Sequence, residues 1–141
     1  MTLAIEDILD GARAMTGGLA DPDCDSWREG LEILLRDHQR EARLTERGWE
    51  SVRNRYVNCL ASRMAVDDWH RRHPHLADNP IVRPVFILGM PRTGTTMVSY
   101  LFASDPAVRS MLRWEAYNLA PPAAPGALRS DPRCLTEVAK D

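Results

Sequence analysis

No apolar run in this sequence is long enough to cross a bilayer. The longest, around Val85 to Leu88, is a fraction of the roughly 20 residues that a spanning helix needs. A secretory leader is missing as well. Such a leader needs a basic start and an apolar stretch, and the first ten residues carry Glu6, Asp7 and Asp10 instead. Both absences lead to the expectation of a soluble, cytoplasmic protein with no membrane partner. Cysteine is scarce: Cys24, Cys59 and Cys134 are scattered, with no CxxC spacing. That argues against a disulfide scaffold and fits a reducing compartment. A surplus of positive charge is also lacking, since the formal net charge is −2. Nucleic acid is therefore not an expected partner, and any anion site must be local. There is no internal repeat and no low-complexity tail.

What is there fits one modest domain, because 141 residues can bury a real core but fall short of most two-domain enzymes. The first half reads as helices. Ile5, Ile8, Leu9, Ala12 and Met15 recur at helical spacing, and Gly17-Gly18 ends that segment. Asp21-Pro22-Asp23 is a turn. Ser26 is placed to cap a second helix, with a stripe of Trp27, Leu31, Leu34, Leu35 and His38. Thr45 is placed to cap a third, whose apolar face is Trp49, Val52, Tyr56, Leu60 and Met64. Pro74 stops it, and Arg71, Arg72 and His73 in its last turn suit the helix dipole.

After His75 the character changes. Pro84 opens the run Val85-Phe86-Ile87-Leu88, which has no polar alternation, as expected for a strand covered on both faces. A tight loop from Gly89 to Gly94 follows, then a helix over 95–104 closed by Asp105-Pro106. Val108 to Trp114 is a candidate second strand, and the last residues read as the start of another helix. The expected fold class is α/β: a P-loop-type parallel sheet with flanking helices, preceded by a helical N-terminal region. The expected division is 1–80 for the helical region and 81–141 for the start of the sheet domain. One or two strands cannot make a parallel sheet, so the sequence reads as truncated.

The segment with chemistry in it is Gly89-Met90-Pro91-Arg92-Thr93-Gly94-Thr95-Thr96. The first amides of a helix have no internal partner, and the helix dipole adds partial positive charge there. Gly94 lets the backbone approach an anion closely. Amides from about Thr93 to Thr96 then converge on one phosphate, and the hydroxyls of Thr95 and Thr96 add donors. Arg92 brings a permanent charge in a fork that matches phosphate or sulfate oxygens. Against the triphosphatase loop G-x-x-x-x-G-K-[S/T], Gly89, Gly94 and Thr96 match. The lysine position is Thr95, so the cation has moved to Arg92, which favours one phosphate in the cradle over a triphosphate.

Pro91-Arg92-Thr93-Gly94-Thr95-Thr96 after an apolar run resembles the 5′-phosphosulfate-binding loop of sulfotransferases, which use 3′-phosphoadenylyl sulfate. Ser104-Asp105-Pro106, then Arg113-Trp114-Glu115-Ala116 and Pro121-Pro122, are similar to the bacterial branch that resembles tyrosylprotein sulfotransferases. The resemblance covers the N-terminal portion of such an enzyme. It implies transfer of a sulfuryl group to an acceptor hydroxyl or amine, on a small molecule, a glycan or a peptide. It implies that Pro91, Arg92, Thr93, Gly94, Thr95 and Thr96 bind the donor, that Arg92 steadies the leaving phosphate, and that Glu115 is the acceptor's base. No metal is required by this scheme. The family's 3′-phosphate motif is not found in this sequence.

Blander readings stand beside these. Glu115 also suits the first turn of a helix, where acids are favoured, and Trp114 reads as packing before substrate contact. His70, His73 and His75 straddle Pro74, so fixed metal-ligand geometry is not expected of them. Rival functions are a P-loop kinase or triphosphatase, against which Thr95 speaks, and a non-catalytic helical module with a relic loop. The acceptor and the oligomeric state are not legible.

Overall fold

The computed structural model describes residues 3–139. Its elements are helices α1 (Ile5–Thr16), α2 (Arg28–Glu41), α3 (Glu46–Arg72), α4 (Thr95–Ala103), α5 (Arg113–Tyr117) and α6 (Pro132–Val138), with 3-10 turns at Asp25–Trp27 and Pro74–Asp78. They fall into two compact units. One holds the residues up to Pro74 together with Asn118–Pro122, and the other holds His75–Tyr117 and the residues from Ala123 onward.

The first unit is a three-helix cluster. Helix α1 ends where glycine permits it: Gly17 is left-handed at φ 70°, and Gly18 N–H donates to the Arg13 carbonyl at 2.8 Å. These are the marks of a glycine-terminated helix. Helix α3 starts on Thr45, whose hydroxyl accepts from Gly48 N–H at 3.2 Å, the cap expected of a threonine. Ser26 does not cap α2. It sits inside the 3-10 turn, and Cys24 Sγ accepts the Ser26 N–H instead. The core is Leu3, Ile5, Ile8, Leu9 and Ala12 against Leu31 and Leu35, and against Trp49, Val57, Leu60, Ala61 and Met64. Ile8 and Met64 are completely enclosed. Helices α1 and α3 approach closely because residue 11 is glycine: a Cβ there would lie 2.8 Å from Val57 Cγ2.

The second unit corrects the expected fold class. No strand occurs among the described residues, so the α/β reading with a parallel sheet is not observed. A strand exists only as one side of a hydrogen-bonded ladder, and the run at 85–88 has no ladder partner. Its side chains are accordingly unburied, with Val85 65%, Phe86 79% and Leu88 90% exposed. The second expected strand fails for a local reason. Glu115 N–H and Ala116 N–H both donate to the Leu112 carbonyl, which winds Arg113–Tyr117 into α5. The helix after the glycine loop does form, as α4, and a terminal helix forms as α6, capped by the Asp131 carboxylate on Arg133 N–H.

No helix among the described residues is long and apolar enough to cross a membrane.

Candidate functional site

The glycine loop is shaped by three backbone constraints. Gly89 is required by proximity: a Cβ on it would lie 2.6 Å from Thr93 Oγ1 and 2.8 Å from Thr95 Cγ2, closer than real side chains pack. Gly94 is required by conformation, at φ 87°, where an L side chain meets the following carbonyl. Arg92 has no such excuse, yet it also sits at positive φ, 69°. A non-glycine residue in this region stores strain that the surrounding structure must hold, a situation that clusters at ligand-binding sites. The turn is closed by Thr93, whose N–H and hydroxyl both donate to the Met90 carbonyl, at 3.3 Å and 2.7 Å.

These constraints fix what α4 offers at its start. No side chain caps Gly94. The helical ladder begins with Val98 N–H donating to the Gly94 carbonyl at 3.1 Å, so the amides of Thr95, Thr96 and Met97 lie outside it. The Thr93 amide, by contrast, is turned back onto Met90. Among the expected loop residues, Pro91, Arg92, Thr93, Gly94 and Thr96 are exposed and Thr95 is half-buried. Among the described residues the Arg92 guanidinium makes no ion pair. The loop therefore presents unpaired amides, a threonine hydroxyl and an uncommitted cation to solvent. That set matches a phosphate or sulfate ester.

Glu115 belongs to the same unit but not to the same cluster of contacts. Its carboxylate accepts from Arg109 Nη1 at 3.1 Å and from Leu112 N–H at 2.7 Å, and Arg109 Nη2 holds the other oxygen. The side chain is only 15% exposed. Burial pushes its pKa up, but the hydrogen bonds from Arg109 and Leu112 and the charge of Arg109 outweigh burial and hold it below the usual carboxylate range. Glu115 is thus ionised at neutral pH and already occupied. Arg109 was not legible as its partner, because the pairing at a separation of six residues depends on the path of the irregular segment 108–112.

Trp114 is buried, with the Arg133 guanidinium 4.9 Å from its ring centre, and it packs α5 against α6. Arg133 in turn holds Asp131, whose carboxyl its hydrogen bond lowers to about 2. Of the histidines, His73 stacks on Trp69 with ring centres 4.1 Å apart.

Comparison with known proteins gives the family of the chain. The profile described as "Sulfotransferase family" matches residues 84–138, the stretch that holds the glycine loop, Arg109 and Glu115. This is a sulfotransferase-family chain. Two solved structures of the family are similar over 99% of its length. Sulfotransferase STF9 from Mycobacterium avium is 40% identical with a TM-score of 0.86. Sulfotransferase STF1 from Mycobacterium tuberculosis H37Rv is 29% identical with a TM-score of 0.84. The chain spans 35% and 38% of those two proteins respectively. No curated protein sequence matches it.

Proposed function

We propose that this chain forms the donor-binding part of an enzyme that transfers a sulfuryl group from 3′-phosphoadenylyl sulfate to an acceptor hydroxyl or amine. The observation that supports this most is the uncapped start of α4, with the Thr95, Thr96 and Met97 amides outside the helical ladder beside an unpaired Arg92. The residues fit the donor's 5′ end. Gly89 is packed against Thr93 and Thr95 and Gly94 is left-handed, so neither position takes a side chain without strain, and the groups the loop leaves unpaired are hydrogen-bond donors, as an anion requires.

In this reading the acceptor oxygen or nitrogen attacks sulfur, and the bond between sulfur and the bridging oxygen of the phosphate breaks. The phosphate gains negative charge as it leaves. Amides of Thr95, Thr96 and Met97 lie where that charge develops, and such preorganised donors lower the barrier because they need no rearrangement at the moment of reaction. Arg92 shares the same charge and holds the leaving oxygens. Pro91 fixes the entry to the turn, and Thr93 closes it through Met90. Glu115 takes the proton that the acceptor loses, and the Arg109 pair keeps its carboxylate ionised for that step. No metal enters the scheme, and the protein works in the cytoplasm on a small-molecule, glycan or peptide acceptor.

Competition binding separates this reading from a triphosphate-using enzyme. Adenosine 3′,5′-bisphosphate should bind in preference to ATP with magnesium, because Thr95 occupies the position where a β,γ-phosphate lysine would be needed. The reverse preference would reject the assignment. A Glu115→Gln enzyme should lose turnover with donor affinity nearly intact. Normal turnover would leave Glu115 as the residue that closes the first turn of α5 and nothing more.

A further inference from the structure

We propose, resting on the reading of Glu115 as the acceptor's base, that Arg109 is its positioning residue: with the Leu112 amide it turns the Glu115 carboxylate so that one lone pair, on Oε1, is left for the acceptor's proton.

The acceptor positions of the carboxylate can be followed one by one. Its two oxygens offer about four. Oε2 takes two donors, Arg109 Nη1 at 3.1 Å and Leu112 N–H at 2.7 Å. Oε1 takes Arg109 Nη2. Among the described residues no other group donates to Glu115, so the open position is on Oε1. With 15% of the side chain exposed, the carboxylate is not sealed off. The acceptor's proton passes to Oε1 as its oxygen or nitrogen bonds to sulfur. The bridging bond between sulfur and oxygen breaks, and its electrons leave on the phosphate.

Helix formation does not account for Arg109. Glu115 stands three residues after Leu112, and a glutamate that closes on the amide just ahead of a helix is an ordinary capping device. That bond alone leaves the carboxylate free to rotate about it. Arg109 adds a fork, and two parallel N–H bonds fix the plane of a carboxylate as one bond cannot. The fork is anchored in turn, because Nη1 also donates to the Ser110 carbonyl. The Arg109 side chain is 59% exposed, and an exposed ion pair contributes little to stability. The pair is therefore better explained by the direction it gives Glu115 than by the stability it adds. Lysine is the discriminating replacement at this position. It keeps the positive charge but is a compact point donor on a flexible stem, without the planar fork.

The test is the turnover of the wild-type, Arg109→Lys, Glu115→Gln and doubly substituted enzymes, with donor affinity measured beside it. Arg109→Lys should lower kcat by about tenfold to a hundredfold, the range for a misaimed reacting group, with the KM for the donor unchanged. In the Glu115→Gln enzyme the same replacement should have no further effect. Wild-type kcat in Arg109→Lys would overturn the assignment, because charge alone would then suffice. An undiminished effect of Arg109→Lys in the Glu115→Gln enzyme would overturn it as well, because Arg109 would then act on some other group. Normal turnover of Glu115→Gln by itself is the separate outcome that removes the base reading, and the positioning role with it. A second readout needs no turnover. In the isotope-labelled 141-residue chain, the Arg109 guanidinium should give separate, slowly rotating Nη signals, as a bidentate pair requires, and Glu115→Gln should merge them. Averaged Nη signals in the unaltered chain would refute the fork.

Discussion

Replacing Gly89 with alanine tests the shape of the loop at a single methyl group. The new Cβ would lie 2.6 Å from Thr93 Oγ1 and 2.8 Å from Thr95 Cγ2, well inside van der Waals contact for both. Neither neighbour moves freely. Thr93 Oγ1 is tied to the Met90 carbonyl at 2.7 Å, and Thr95 is the first residue of α4. Overpacking of this kind costs about 1–3 kcal/mol, and breaking the Thr93–Met90 bond adds about 1 kcal/mol. Part of that strain is relieved by displacing the loop, which moves the α4 amides off their target. Affinity for adenosine 3′,5′-bisphosphate should therefore fall by about tenfold to a hundredfold, at about 1.4 kcal/mol per factor of ten. Calorimetric titration of the two proteins reads this directly. A rescue makes the reasoning strict. Adding Thr93→Ala and Thr95→Ser removes both clashing atoms, and the part of the affinity lost to overpacking should return, while the part owed to the Thr93–Met90 bond stays lost. Wild-type affinity in Gly89→Ala, or no recovery in the triple variant, would refute the proposed loop geometry.

Gly94→Ala should weaken the same binding by a different route: nothing lies within 4 Å of its Cβ, so the penalty is the left-handed backbone alone, about 1–2 kcal/mol, and the added rescue changes should not relieve it. Arg92→Ala should weaken donor binding and slow transfer by roughly 1–3 kcal/mol of charge-assisted bonding, and unchanged kinetics would remove Arg92 from the site. The Glu115 carboxyl should titrate below its ordinary value of 4.5, and Arg109→Gln should move it upward, read by carbon-detected NMR. Because its folded pKa is depressed, the unfolded chain binds the proton more readily. The stability Glu115 contributes is therefore present above the unfolded value and lost as pH falls through the folded one. In the helical unit, Gly11→Ala should lower the unfolding midpoint, since its Cβ would meet Val57 Cγ2 at 2.8 Å, and adding Val57→Ala should restore part of the loss.

Local rules made much of this legible. Thr45 and Gly17 mark helix ends because a hydroxyl acceptor and a left-handed glycine answer needs set within a few residues. The tight turn at 89–94 and the helix that starts after it were legible for the same reason: the two glycines answer backbone needs set within a few residues. The face of α3 was read less well. The expected stripe ran through Val52 and Tyr56, whereas the enclosed residues are Val57 and Ala61 alongside Trp49, Leu60 and Met64. The reason is Gly11, whose bare backbone draws α1 onto Val57, and that choice is made by a helix 46 residues earlier. The run at 85–88 was misread because apolar continuity reports that a segment suits burial, not that a ladder partner exists. Pairing is a property of two segments, and only one was being read. Glu115 was ambiguous for a related cause. Its place in a first helical turn follows from spacing, but its closure onto Arg109 depends on the path of an irregular segment that no spacing rule reports.

The most direct measurement is an amide titration of the chain with adenosine 3′,5′-bisphosphate. The N–H signals of Thr95, Thr96 and Met97 should shift saturably, the Thr93 amide should shift least, and the Arg92 side-chain N–H should move with the three. If those amides stay still while binding occurs elsewhere, or if ATP with magnesium shifts them more strongly, the α4 start is not the donor's phosphate site.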